Sequence, residues 1–206
     1  MRGGERLPYG WRLLGAGVAG AETVRNFLRP ALKAAPPEIA ARLGFCRVAV
    51  RPELQGERVT SAWTRTALGF DIELAAEGIE PHDLALELLR CLGQALWEKL
   101  REPERAAWLK LLEAELAAAV EGEIDEDAFE RKRALFANRE AARDPGLLLE
   151  YAAASFAGTV AEYIHALWHD VTVRAGAERL PAAWLRRRLE FLARRYPPAH
   201  GRRLFG

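Results

Sequence analysis

The chain has 206 residues, half of them hydrophobic, which suffices to bury one sizeable core and does not require a second domain. A formal net charge of +1 excludes a globally basic nucleic-acid coat and a globally acidic tail, although residues 174–206 carry nine of the arginines. The two cysteines form no Cys-x-x-Cys pair, and no apolar run approaches the roughly 20 residues that span a bilayer. We therefore expect a single domain, residues 1–206, in the reducing cytoplasm, without a secretory signal or a membrane segment.

The first eighty residues are predicted to form two helices followed by a small sheet. Residues 1–20 indicate a loose lead-in, and helices are expected near 21–34 and 37–43, the second opened by Pro37 in its first turn. The period of the hydrophobic residues then changes to two. Alternating or β-branched segments at 45–50, 59–66 and 70–74, separated by Pro52, Gly56 and Gly69, predict a sheet of about three strands.

From Pro81 onward the pattern is helical. Pro81 and Pro103 each suit a first helical turn, and Asp144 before Pro145 supplies a cap. Helices are expected near 81–100, 103–120, 126–142, 145–173 and 181–195. The predicted fold class is therefore α+β, mainly helical, with the sheet confined to the first half of the chain.

The first long helix of this second half contains an unusual motif. Residues 89–96 read Leu-Arg-Cys-Leu-Gly-Gln-Ala-Leu, which resembles the zinc helix His-Glu-Leu-Gly-His-Ala-Leu of the zincin metallopeptidases. Arg90 and Gln94 stand where that helix has its two zinc-binding histidines, and Cys91 stands where it has the general base. The resemblance implies a zincin-like fold that has lost its peptidase chemistry. The ordinary alternative is an amphipathic helix whose Arg90 and Gln94 lie on a solvated face.

A polar stripe follows on the predicted helix 145–173. Glu162, His165 and His169 lie within about 60° of one another at helical spacing, and Ser155 extends the stripe. Because the rest of this helix is apolar, these groups need partners. They could hold zinc or another divalent metal ion, or they could pair with other polar groups of the core or with water.

The resemblance adds a further possible partner for this stripe. In a zincin a downstream helix supplies a Glu ligand, and Glu162 is the candidate for that position, with Glu150 as the alternative. Arg90 in place of the first histidine could then pair with Glu162 where a zinc ion would otherwise lie.

Four other features have competing interpretations. The Gly-x-Gly-x-x-Gly of residues 15–20 lacks the strand, the acidic residue and the βα alternation of a dinucleotide site, and indicates a flexible lead into a helix. The acidic stretch 121–127 indicates a solvated turn with a cap rather than a calcium loop. Cys91 could be a reactive thiolate beside Arg90 or an inert buried thiol. The Arg186–Arg188 and Arg194–Arg195 clusters could bind nucleic acid, but pairing with acidic groups of the same chain is favoured.

These observations favour a catalytically inactive, zincin-like domain that acts through binding or scaffolding, with a protein partner and no cofactor. Two alternatives stay open. One is a metal-dependent enzyme that uses Glu162, His165 and His169. The other is a nucleic-acid-binding module that uses the arginine-rich C-terminal region.

Overall fold

A computed structural model describes residues 4–55, 59–137, 144–169, 179–199 and 201–204 of the chain. The predicted helical ends at 138–142 and 170–173 lie outside these residues, as do Gly56 and His200.

Five strands form one mixed sheet in the order β1-β2-β3-β5-β4. Their bounds are Glu5–Arg6 (β1), Arg12–Leu14 (β2), Phe45–Arg51 (β3), Ser61–Arg65 (β4) and Gly69–Ala75 (β5). The central strand β3 runs parallel to β2 and to β5, while β1 and β4 are antiparallel to their neighbours at the two edges. Cys46, Val48 and Val50 of β3 are buried, as the alternating pattern predicts.

The prediction of about three strands was wrong, because the region expected to be a loose lead-in contributes β1 and β2. Strands of two and three residues are too short to show a period of two. They exist because β3 offers Arg12–Leu14 a partner more than thirty residues later in the chain. Gly15 ends β2 with a φ of 73°, and a Cβ there would collide with the carbonyl oxygen of Val50 in β3.

Nine α-helices and one π-helical turn are described. Before β3 lie α1 (Ala16–Ala19), α2 (Ala21–Thr23), the π-helical turn Val24–Leu28, α3 (Arg29–Ala34) and α4 (Pro37–Leu43); after β5 lie α5 (Pro81–Glu98), α6 (Glu102–Ala117), α7 (Glu126–Ala137), α8 (Pro145–Ala166) and α9 (Ala182–Arg195). Helix α8 begins where its cap predicts, since the Asp144 side chain accepts from the backbone N–H of Gly146 at 2.7 Å. The chain is thus α+β and mainly helical, as predicted.

The helices α5 and α8 cross at very close range. A Cβ at Gly93 of α5 would lie 2.6 Å from the carbonyl oxygen of Ala157 in α8, so only glycine allows this approach. Leu88, Leu92 and Leu96 of α5 are fully buried in a hydrophobic cluster that also includes side chains of the sheet and of α8. None of the described helices is both long and apolar enough to cross a membrane.

Candidate binding site between two helices

A cavity of about 360 Å³ lies between α5 and α8. Helix α5 contributes His82, Leu86, Glu87 and Arg90, and α8 contributes Gly158, Ala161, Glu162 and His165. The remaining walls come from residues 123–126 and from side chains between 179 and 185. The cavity therefore combines apolar surface with charged groups of both signs, so it is more polar than most ligand pockets.

Of the three motif residues, Arg90 lines this cavity. Its side chain is 31% exposed, and its guanidinium lies 3.7 Å from the carboxylate of Glu87, which also accepts from the Ser61 hydroxyl at 2.7 Å. Among the described residues Arg90 pairs with Glu87 rather than with Glu162, although both Arg90 and Glu162 face the same cavity. The possible ion pair between Arg90 and Glu162 is therefore not present among the described residues, although both side chains line one cavity.

Cys91 and Gln94 do not line the cavity. Cys91 is fully buried, and burial raises the pKa of its thiol to about 11, so the group is protonated at neutral pH. Gln94 is half-buried on α5, one turn after Arg90. These three side chains do not fit a peptidase zinc ion, because a guanidinium and an amide stand at the ligand positions and a buried thiol replaces the base.

The polar stripe of α8 separates into different environments. Glu162 and His165 line the cavity, with a carboxylate oxygen of Glu162 3.7 Å from Nδ1 of His165. The Nε2 atom of His165 lies 3.0 Å from Nε2 of His82. His169 follows α8 on the exposed surface, with its ring centroid 5.8 Å from that of His165. Within the described residues no group of three or more His, Cys, Asp or Glu side chains is already arranged to hold a metal ion.

Ser155 and Glu150 lie away from the cavity. Ser155 is fully buried in α8, and its hydroxyl has no hydrogen-bond partner among the described residues. Glu150 is 62% exposed and pairs with Arg131 of α7 at 2.8 Å. Of the two glutamates that the resemblance offers as the third zincin ligand, Glu162 is therefore the one that faces the motif helix.

The acidic stretch 121–127 has the predicted cap but is only partly solvated, since Glu121 and Glu126 are exposed and Glu123 is buried. Asp125 caps α7 by accepting from the backbone N–H of Ala128 at 2.9 Å, and its second carboxylate oxygen, without a partner among the described residues, lies against Gly158. Burial raises the pKa of Asp125. Glu123 is buried too, because its charge is met inside the protein.

Behind this wall of the cavity is a buried cluster of charges. Arg188 of α9 donates to both oxygens of Glu123, at 2.6 and 2.8 Å, and to Glu115 of α6, while Lys132 of α7 lies 3.4 Å from Glu123. The Tyr151 hydroxyl donates to Glu123 at 2.5 Å. Burial disfavours the ionised form of Glu123, but Arg188 and Lys132 outweigh burial and keep its pKa below the ordinary value.

The other arginines of α9 lie towards the surface, and Arg186, Arg187 and Arg194 are exposed. Arg187 stacks on Trp184, with 4.3 Å between the guanidinium carbon and the ring centroid, and Arg195 stacks on Phe191 at 3.9 Å. Arg188 points into the core. Arg188 is thus removed from the predicted basic surface by pairing with acidic groups of the same chain, as the sequence favours.

Sequence reasoning did not assign a site to His82, Asp125 or the 179–185 segment. They reach the cavity from three separate parts of the chain, and no spacing in the sequence announces that convergence. Comparisons with protein-family models, with characterised proteins and with solved structures give no significant match.

Proposed function

We propose that this chain is a catalytically inactive, zincin-like domain that binds a segment of a partner protein in the cavity between α5 and α8. The observation that carries the proposal is that Arg90 of the motif helix and Glu162 of the downstream helix line one cavity. The resemblance predicts that these two helices face each other across the former zinc position. The mixed sheet that precedes α5 also supports it.

The residues at the motif positions favour binding over peptide hydrolysis. A zincin needs a metal ion to polarise the scissile carbonyl and a carboxylate to take a proton from water. Arg90 offers a fixed positive charge, and Cys91 is a buried, protonated thiol that cannot act as a base at neutral pH. A substrate-binding cleft that has lost its metal ion and its general base can still bind a peptide through the other side chains of its lining.

The charges of the cavity indicate what kind of segment would enter it. Arg90 lies 3.7 Å from the carboxylate of Glu87, whereas Glu162 forms no salt bridge with a Lys or Arg side chain of the described residues and lies 3.7 Å from Nδ1 of His165. Glu162 is thus one of the cavity carboxylates available to a cation, together with Asp125 and Glu126, and Leu86 and Leu185 provide apolar surface in the same lining. A Lys or Arg side chain carries both an aliphatic stem and a positive end, which matches this lining.

Selection from a random peptide library tests the proposal. We expect the selected peptides to share a Lys or Arg and to bind the wild-type chain. Glu162→Gln should weaken binding at least about tenfold, because the charge-assisted hydrogen bond is lost. Glu150→Gln is the matched control, since it removes an exposed glutamate of the same helix outside the cavity.

Two results would contradict the proposal. One is a selected peptide whose affinity for the Glu162→Gln variant equals its affinity for the wild type. The other is cleavage of the peptides by the wild-type chain in buffer that contains zinc.

A further inference from the structure

One carboxylate oxygen in the wall of the cavity between α5 and α8 lacks a partner among the described residues. Oδ1 of Asp125 accepts from the backbone N–H of Ala128 at 2.9 Å and caps α7. Oδ2 of the same side chain is buried and accepts no hydrogen bond from any described residue. A buried carboxylate oxygen without a donor is destabilising, so a ligand that brings a donor to Oδ2 gains free energy from this site.

This oxygen lies against α8, one helical turn before Glu162. A Cβ at Gly158 would lie 2.0 Å from Oδ2 of Asp125, so the absence of a side chain at position 158 makes room for the carboxylate. Gly158 and Glu162 lie on the same face of α8, about 6 Å apart along its axis, and both line the cavity. Asp125 and Glu162 therefore bring two carboxylates, from two separate elements, to neighbouring turns of α8.

The charges of the described lining residues favour a cation over an anion. Two guanidinium groups, those of Arg90 and Arg179, are outnumbered by the four carboxylates that lie outside the buried charge cluster. These four belong to Glu87, Asp125, Glu126 and Glu162. Burial raises the pKa of Asp125, and the nearby charge of Arg90 offsets burial only in part. The positive end of a ligand would supply the opposite charge that Asp125 lacks.

The state of the Asp125 carboxylate distinguishes between two kinds of cation. A guanidinium binds a carboxylate best through two parallel N–H···O bonds, one to each oxygen. At Asp125 this fork would compete with the α7 cap, because Oδ1 already accepts from Ala128. An ammonium group is compact and has three rotatable donors. It can donate one hydrogen to Oδ2 of Asp125 and another to Glu162 while the cap stays in place.

We propose that the cavity selects a lysine side chain over an arginine, with the ammonium group between Oδ2 of Asp125 and the carboxylate of Glu162. This inference rests on the proposed function, which leaves Lys and Arg open. Because the last torsion of an aspartate is soft, a small rotation turns Oδ2 from Gly158 towards the ligand. The aliphatic stem of the lysine would pack against Leu86 and Leu185 in the same lining.

Two small compounds test this selectivity without a peptide partner. They are lysine and arginine, each acetylated on the α-nitrogen and methylamidated on the carboxyl group. Titration of the isotope-labelled chain with each compound, followed by NMR, gives the two affinities. We expect the wild type to bind capped lysine about tenfold more tightly than capped arginine, because lysine alone satisfies Oδ2 without loss of the cap.

Asp125→Asn is the variant that tests the role of this side chain. Asparagine retains the α7 cap but removes the charge, so the preference for capped lysine should disappear while folding is intact. Asp127→Asn is the matched control. It changes an acidic residue of the same stretch that pairs with Arg131 outside the cavity lining, and it should leave the preference unchanged.

A measurement on the wild type alone covers the case of a variant that does not fold. Capped lysine that is also acetylated on its side-chain nitrogen has the same stem without the charge, and it should bind at least about tenfold more weakly than capped lysine. The proposal is overturned if this compound or capped arginine binds as tightly as capped lysine, if none of the three binds, or if Asp125→Asn leaves the affinity for lysine unchanged.

The selectivity and the proposed function can fail separately. Selected peptides that share an arginine and depend on Glu162 would leave the peptide-binding function standing and would overturn the preference for lysine. Capped lysine that binds through Asp125, in a chain that selects no peptide, would leave the ammonium site standing and would overturn the peptide-binding function.

Discussion

Arg188 illustrates how one side chain can hold several elements together from inside the core. Its guanidinium is fully buried and bonded to carboxylates from α6 and from the loop before α7. Glu115, Glu123, Lys132 and Arg188 sum to zero charge, so their burial leaves no net charge in the core. Such a cluster tolerates burial only while every member keeps its partners.

Replacing Arg188 should therefore be costly. We expect Arg188→Met to lower the free energy of unfolding by about 3–5 kcal/mol, because Glu115 and Glu123 would share only Lys132. Urea denaturation measures this change. Arg187→Met, at an exposed neighbouring position stacked on Trp184, should cost less than about 1 kcal/mol.

The cost should also be non-additive. Adding Glu115→Gln to Arg188→Met removes one uncompensated buried charge, so the double variant should be more stable than the sum of the two single changes predicts. Strict additivity would show that the carboxylates are not energetically coupled through Arg188.

At the scale of elements, the pair α5 and α8 carries the candidate site. Gly93 allows the two helices to approach, and this approach brings Arg90 and Glu162 to one cavity. The glycine of the zincin-like motif thus has a packing role here that does not depend on any chemistry. The close packing of α5 against α8 fixes the positions of residues 90 and 162 relative to each other.

That placement predicts that a zinc site can be introduced by substitution. Arg90→His together with Gln94→His provides two histidines one turn apart. Position 90 lines the cavity with Glu162, and a histidine at position 94, outside that lining, would have to reach it from the adjacent turn. We expect this double variant to bind one zinc ion more than the wild type, as measured by elemental mass spectrometry. Adding Glu162→Gln should abolish the extra ion.

The matched control replaces both positions by asparagine, which is polar and far weaker as a zinc ligand. If the histidine variant gains no zinc beyond that control, then α5 and α8 do not have the ligand geometry of a zincin, and the resemblance is confined to the sequence motif.

At the scale of the whole molecule, an ion pair links the N-terminal helices to the helical half, in addition to the apolar packing of α3 and α4 against α5 and α8. Arg42 of α4 donates two hydrogen bonds to Glu104 of α6, at 2.6 and 3.0 Å. These bonds lower the pKa of Glu104 to about 2, from an ordinary value of 4.5. Helix α4 precedes the central strand β3, and α6 follows α5. The contact therefore joins a helix that comes before β3–β5 in the sequence to one that comes after them.

Lowering the pH should therefore reduce the free energy of unfolding, because protonation of Glu104 weakens this contact. The folded-state pKa lies below the unfolded value, so the stabilisation is complete above about pH 4.5 and is lost progressively as the pH falls towards 2. We expect Glu104→Gln to lower the free energy of unfolding at pH 7 by about 1–3 kcal/mol. The difference from the wild type should shrink below pH 4.5.

Glu102→Gln, an exposed change in the same helical turn, is the control and should cost about 0.5 kcal/mol or less at every pH. Thermal unfolding from pH 2 to pH 7 provides the data. A Glu104→Gln deficit that stays constant down to pH 2 would contradict the assignment.

The elements with local signals could be predicted from the sequence. Helix α5 starts at Pro81, α8 starts after the Asp144 cap, and β3 alternates over enough residues to show its period. The strands β1 and β2 could not be predicted, because their stability comes from β3 and not from their own residues.

The candidate site was predictable only in part. The helical spacing placed Glu162 and His165 together, but the approach of His82 spans 83 positions in the sequence. Glutamate is usually a surface residue, and Glu123 is buried because it pairs with Arg188, 65 positions later in the chain. Contacts of this kind arise from tertiary packing, which a local pattern does not encode.

The late position of Arg188 also sets an order of events during synthesis. Glu115 and Glu123 leave the ribosome well before Arg188, and until then Lys132 can compensate only one of their two charges. Closing the interior between α6 and α8 at that stage would bury an unpaired carboxylate. The sheet and α5 can assemble earlier, whereas this interior must stay open until α9 has been made. The nascent chain therefore exposes its most apolar helix, α8, until α9 has been made.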